Sequence, residues 1–116
     1  MAEEMVIFSR AFDFISWLIP RTMDFPRSQR FIVTKRLQDA ALDFYERITE
    51  ANGCRGRERL ARLREADTAL DKVRHYLRLA HRWEWLSMGQ YQHASEMVAE
   101  LGRLLGGWIR QTSGKR

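Results

Sequence analysis

The sequence predicts an all-α protein, an antiparallel four-helix bundle, and three observations carry that expectation. Apolar residues recur at alternating spacings of three and four along four separate segments. Proline, asparagine and glycine punctuate the chain between those segments. No stretch alternates apolar and polar residues in the period of two that a half-buried strand shows. Short connectors make successive helices antiparallel neighbours, so the expected unit is a single domain over residues 1–116 with a basic flexible tail from about 111.

The first helix is expected from about Met5 to Ile19. Phe8, Ala11, Phe12, Ile15, Leu18 and Ile19 share one side, Phe14 and Trp17 widen the apolar face, and Pro20 closes or kinks the helix. The second starts near Pro26, since proline is tolerated in a first turn, and carries Leu37, Ala41, Phe44 and Ile48 up to about Ala51. Asn52-Gly53 stops it, and the connector through Cys54, Arg55 and Gly56 leads to the third helix, from about Glu58 to Trp85. There Leu63, Ala66, Leu70, Val73, Leu77 and Ala80 keep a heptad register.

The fourth helix has the best-defined start. Ser87-Met88-Gly89-Gln90 fits a capping box, and Leu86 and Tyr91 stand where a hydrophobic staple places its two residues. Tyr91, Ala94, Val98, Leu101, Leu105 and Trp108 continue the spacing. Gly106 and Gly107 each cost about 1 kcal/mol relative to alanine, so fraying is expected there, followed by a mobile tail from Gln111 to Arg116. Trp83 and Trp85 point about 200° apart on a helix, so they cannot share one core. At least one belongs under a loop or on a partner surface, and burial in a homo-oligomer is the preferred expectation.

Composition narrows the class of partner. The chain has 116 residues, a formal charge of +5 and 20 cationic side chains, of which seventeen are arginine. A positive field attracts polyanions, and the guanidinium fork pairs with phosphate or carboxylate in two parallel hydrogen bonds. The N-terminal Met1-Ala2-Glu3-Glu4-Met5 is acidic where a signal peptide is basic, and no apolar run approaches the ~20 residues that span a bilayer. A single cysteine, Cys54, cannot form an internal disulfide, which suits a reducing compartment. The expectation is a soluble cytoplasmic protein with no membrane partner.

Catalytic signals are sparse. His93 and His81 lack the glutamate three residues earlier that di-metal bundles use, and His75 and His81 are six apart, not the i, i+4 spacing that converges on zinc. No nucleophile elbow or phosphate-cradling loop occurs, and Gly102 with Gly106 reads as a close helix contact. No metal, cofactor or catalytic residue is expected. One alternative is an enzyme: Arg74 and His81 lie on one face of the third helix, and small RNA-cleaving bundles of the HEPN type resemble this arrangement.

The stronger signal is Arg74, Arg78 and Arg82, which recur every four residues as a guanidinium row. Arg55, Arg57, Arg59, Arg62 and Arg64 crowd the start of the same helix, against its macrodipole, which favours an anion-binding role over stability. Local pairing with Glu58, Glu65, Asp67 and Asp71 is the competing account. Arg103, Arg110 and Lys115-Arg116 add charge on the fourth helix and the tail.

Three stretches make the sequence familiar. Leu18-Ile19-Pro20-Arg21-Thr22-Met23-Asp24-Phe25-Pro26-Arg27-Ser28-Gln29-Arg30-Phe31, Leu77-Arg78-Leu79-Ala80-His81 and Glu100-Leu101-Gly102-Arg103-Leu104-Leu105-Gly106-Gly107-Trp108-Ile109 resemble the accessory variability determinant (Avd) proteins of diversity-generating retroelements. More distantly, the chain is similar to four-helix proteins encoded by intervening sequences in large-subunit ribosomal RNA genes, a structural oligomer being the other alternative. The Avd resemblance implies a homopentameric, positively charged barrel that binds a reverse transcriptase and its template-repeat RNA, and possibly cDNA, without being the polymerase. It also implies that Arg74 and Arg78 occupy basic third-helix positions and Arg27 the basic position after the proline before the second helix. Arg82, Arg103 and Arg110 rest on charge.

Overall fold

Four amphipathic helices make up nearly all of the structure, a computed structural model that describes residues 2–114, with side chains from Val6 onward. They are α1 (Ala2–Thr22), α2 (Val33–Asn52), α3 (Gly56–Arg82) and α4 (Met88–Gly114), with a 3₁₀ turn at Arg27–Gln29 between the first two. Each packs on its neighbours in sequence and α1 closes the ring on α4; among the described residues the backbones of the diagonal pairs, α1 with α3 and α2 with α4, do not approach closely. The result is an all-helical bundle 48 × 25 × 19 Å. None of its described helices is long and apolar enough to cross a membrane.

The antiparallel run is visible in pairs of residues. Phe8, near the start of α1, meets Trp108, near the end of α4, edge-on at 6.1 Å, while Trp17 lies 5.0 Å from His93 at the opposite end of the same pair. Between them the Arg10 Nε donates to Glu100 at 3.0 Å. The stripes expected of α2 and α3 are all buried, and α4 buries Ala94, Val98, Leu101, Leu105 and Trp108 with Tyr91 half-buried. On α1 the centre of the stripe is Ile7, Ala11, Phe14 and Leu18, and Phe12 is 62% exposed. Phe12 and Phe14 lie about 200° apart, so once the core takes Phe14 the other ring faces out.

The boundaries correct the sequence reading in four places. Pro20 sits inside α1, which continues to Thr22. Only a final half-turn follows, and the Ser16 carbonyl that loses its donor belongs to an exposed residue within reach of water. Thr22 then anchors the end: its hydroxyl donates to the Ile19 carbonyl at 2.6 Å and accepts from Gln38 of α2 at 2.8 Å. The second helix begins at Val33, not near Pro26. Pro26 adopts φ −55°, ψ 133°, an extended polyproline geometry, and Ile32 at φ −117°, ψ −99° interrupts the path between the 3₁₀ turn and α2.

The third helix stops at Arg82, three residues short of Trp85. The Trp85 amide donates to the Ala80 carbonyl at 2.8 Å and the Glu84 amide to the His81 carbonyl at 3.0 Å, the paired bonds of a Schellman motif. Glu84 takes the left-handed position at φ 65°, usually held by glycine. Trp85, released from the helix, packs 5.3 Å from Phe25, which ties the α1–α2 and α3–α4 connections together at one end, and Trp83 remains 46% exposed.

The capping box forms as expected: the Gln90 amide donates to the Ser87 hydroxyl at 3.1 Å and the Ser87 amide to Gln90 Oε1 at 2.9 Å. Where an interruption was expected at Gly106 and Gly107, α4 runs on as helix to Gly114. Gly106 and Gly107 are half-buried between Leu105 and Trp108, and the Arg110 guanidinium lies against both, so packing holds the helix through them. Lys115 and Arg116 lie outside the described residues.

Candidate nucleic-acid interface

The side chains that α3 and α4 present to each other decide the shape of their shared surface. On α3, Leu77 is a core residue, and Arg74 and Arg78 flank it one turn apart. On α4, the facing positions Ser95, Ala99 and Gly102 are all small. Bulky flanks opposite small ones leave a groove of about 660 Å³, floored by Leu77, Val98 and Ala99 and rimmed by Arg74, His75, Arg78 and Arg103.

Gly102 has a specific part in this. A Cβ on it would collide with Nη2 of Arg74, so the guanidinium of α3 rests where α4 has no side chain. Arg74 also donates to Asp71 Oδ1 at 2.7 Å, one turn back on its own helix. Both partners are largely exposed, at 42% and 63%, and an exposed i, i+3 pair contributes only about 0.2–0.5 kcal/mol, so the pair does little to fix the guanidinium. Among the described residues Arg78, Arg82 and Arg103 have no acidic partner. Of the two acids on α4, Glu100 pairs with Arg10 of α1. The groove therefore gathers three arginines, of which only Arg74 has an acidic partner among the described residues.

The arginine row on α3 leads out of the groove. A second opening of about 250 Å³, formed by His75, Arg78, Leu79 and Arg82, shares two residues with the first. Of the six arginines singled out in the sequence, Arg74, Arg78 and Arg103 meet in one groove and Arg82 extends it. Arg27 does not join them: it lines a separate cavity of about 280 Å³ between the end of α1 and the start of α2, with Arg30, Thr34 and Gln38. Arg110 lies against Gly106 and Gly107 on its own helix.

Two arginines of the cluster at the start of α3, Arg59 and Arg62, have structural contacts where the sequence reading favoured anion binding. Arg59 donates to the Ala51 carbonyl at 3.0 Å and approaches the Asn52 carbonyl at 3.5 Å, capping the C-terminus of α2, while its guanidinium lies 5.7 Å from the Trp108 ring. Positive charge at that helix end is favourable. Arg62 bridges Glu50 of α2 and Glu65 of α3. His81, the histidine of the HEPN-like alternative, is stacked on Tyr91 with centroids 4.4 Å apart and planes 2° apart, and its Nδ1 faces the Leu86 carbonyl at 3.4 Å. It does not line the groove.

Sequence reasoning missed His75, Tyr91, Ser95 and Ala99 as groove residues and read Gly102 only as a helix contact. Their signal was present in the small residues spaced by four and three on α4. It carries meaning only once α3 is known to lie opposite.

A model of the bAvd-like family matches residues 5–112. The chain belongs to the bAvd-like family. It is thus an Avd-type accessory protein in general character, and the groove just described is a feature of that bAvd-like bundle. No curated protein is similar enough in sequence to count as a relative. Among solved structures, the bAvd-like chain is similar to a protein of unknown function from the S23 ribosomal protein family of Bacteroides thetaiotaomicron, at 19% identity and a TM-score of 0.85. That match covers 93% of the bAvd-like chain and 98% of the other, and it supports the four-helix fold alone.

Proposed function

We propose that this protein is a non-catalytic accessory subunit of a diversity-generating retroelement, holding template RNA for the reverse transcriptase in a homopentameric ring. The observation that carries the reading is the convergence of Arg74, Arg78 and Arg103 on one groove with no acidic residue in its lining. Phosphates entering there release counterions and bind with steep salt dependence and little regard for sequence. The polymerase performs the chemistry. A ring of copies repeats the arginine row, and the exposed Trp83 at the connector end offers apolar surface to a neighbouring subunit. Arg27, Arg82 and Arg110 supply further basic contact along the strand or to the transcriptase.

Replacing Arg74 and Arg78 together by alanine tests this. Helix content and assembly should stay as in the wild type, since both side chains are exposed, while RNA and transcriptase binding each weaken by roughly tenfold or more. Unchanged affinity with a shallow salt slope would remove the reading.

A further inference from the structure

We propose that the α3–α4 groove is a recess for an unstacked nucleobase, so that the protein selects single-stranded nucleic acid over duplex. This deepens the reading of the groove as an RNA-binding surface and rests on it. Three guanidinium groups and His75 explain phosphate binding, but they do not explain the space beneath them. At about 660 Å³ the groove is within the range of small-molecule sites, well beyond what a phosphate fills, and its floor is apolar. Leu77 and Val98, at 1% and 2% exposure, belong to the core and lie beneath the floor, whose open apolar surface is the exposed methyl of Ala99.

A duplex offers phosphate on its outside and keeps the apolar faces of its bases stacked within. A single strand offers both at once. The recess matches that pairing: charge at the rim for the backbone, apolar floor for one base, and planar groups around it. Arg74, Arg78 and Arg103 present flat guanidinium faces, on which bases stack. Tyr91 closes one end, and its ring is held in place by the parallel imidazole of His81 at 4.4 Å. The backbone then follows Arg78 and Arg82 out through the adjoining opening. A glutamate-rich peptide would meet the same charge but brings no flat apolar face to the floor.

The test uses the full-length protein and four probes: a short fluorescent RNA strand, the same strand with its central bases removed, the matching duplex, and poly-glutamate. The intact strand should bind roughly tenfold tighter than the abasic strand or the duplex. Ala99→Leu and, separately, Ser95→Leu fill the recess without altering charge. Each should bring intact and abasic strands level, with helix content checked by circular dichroism and either variant sufficient if the other misfolds. A deoxy strand showing the same base dependence would support the recess equally. Equal wild-type affinity for intact and abasic strands would overturn the base site and leave the phosphate reading standing. No affinity for any strand would remove both, and displacement of RNA by poly-glutamate of equal charge would make the recess a peptide site and overturn the proposal.

Discussion

Gly102 and Arg74 form a contact between a side chain and a missing one. Glycine in a helix interior costs up to about 1 kcal/mol relative to alanine, and here the cost coincides with room for a guanidinium. Gly102→Ala should therefore raise stability in urea by roughly 0.5–1 kcal/mol, because the displaced atoms are the end of a flexible arginine, while RNA affinity falls severalfold as Arg74 is pushed off its seat. A fall in stability instead would mean that the contact holds the helices together. The arginine row itself was legible, since Arg74, Arg78 and Arg82 follow from spacing alone. Their company was not: Arg103 joins them only through the antiparallel register of α4, and Arg59 is withdrawn from the basic set by the Ala51 carbonyl, which no local pattern reveals.

The elements divide by how their ends are encoded. The capping box at Ser87 and Gln90 was legible because it is a short-range pairing of side chain with amide, and Ser87→Ala should cost about 1 kcal/mol in a denaturation experiment. The end of α3 was not, because glutamate stands where glycine would announce the turn. Glu84→Gly relieves that left-handed residue and should stabilise the protein by about 1 kcal/mol, measured the same way; a loss would show that the Glu84 side chain has its own role. The start of α2 was misplaced for a related reason. Pro26 permits a helix to begin but also favours extended backbone, and the choice falls to Ile32, whose dihedral angles no pattern predicts. Interior stripes were the easiest to read. On α2, α3 and α4 one apolar row dominates, whereas α1 carries apolar residues on most of its circumference and left Phe12 and Phe14 to be separated by packing.

For the whole molecule, salt dependence counts the charges in use. Single-stranded nucleic acid loses affinity with a logarithmic slope of about −0.7 per phosphate contacted, so a short strand engaging Arg74, Arg78, Arg82 and Arg103 should give a slope near −3. A long RNA on an assembled ring should give a multiple of that; the same slope on both would mean that only one copy engages. The bundle also has two unlike ends. Trp83, Trp85, Phe25 and the uncapped start of α2 gather at one, while the first turn of α1, the last of α4 and the Asn52 corner gather at the other. Copies arranged side by side in the same direction would inherit that polarity as two different rims, one with the exposed Trp83 and one formed by the start of α1 and the end of α4. A strand threaded across the grooves of such a ring would then have a defined heading.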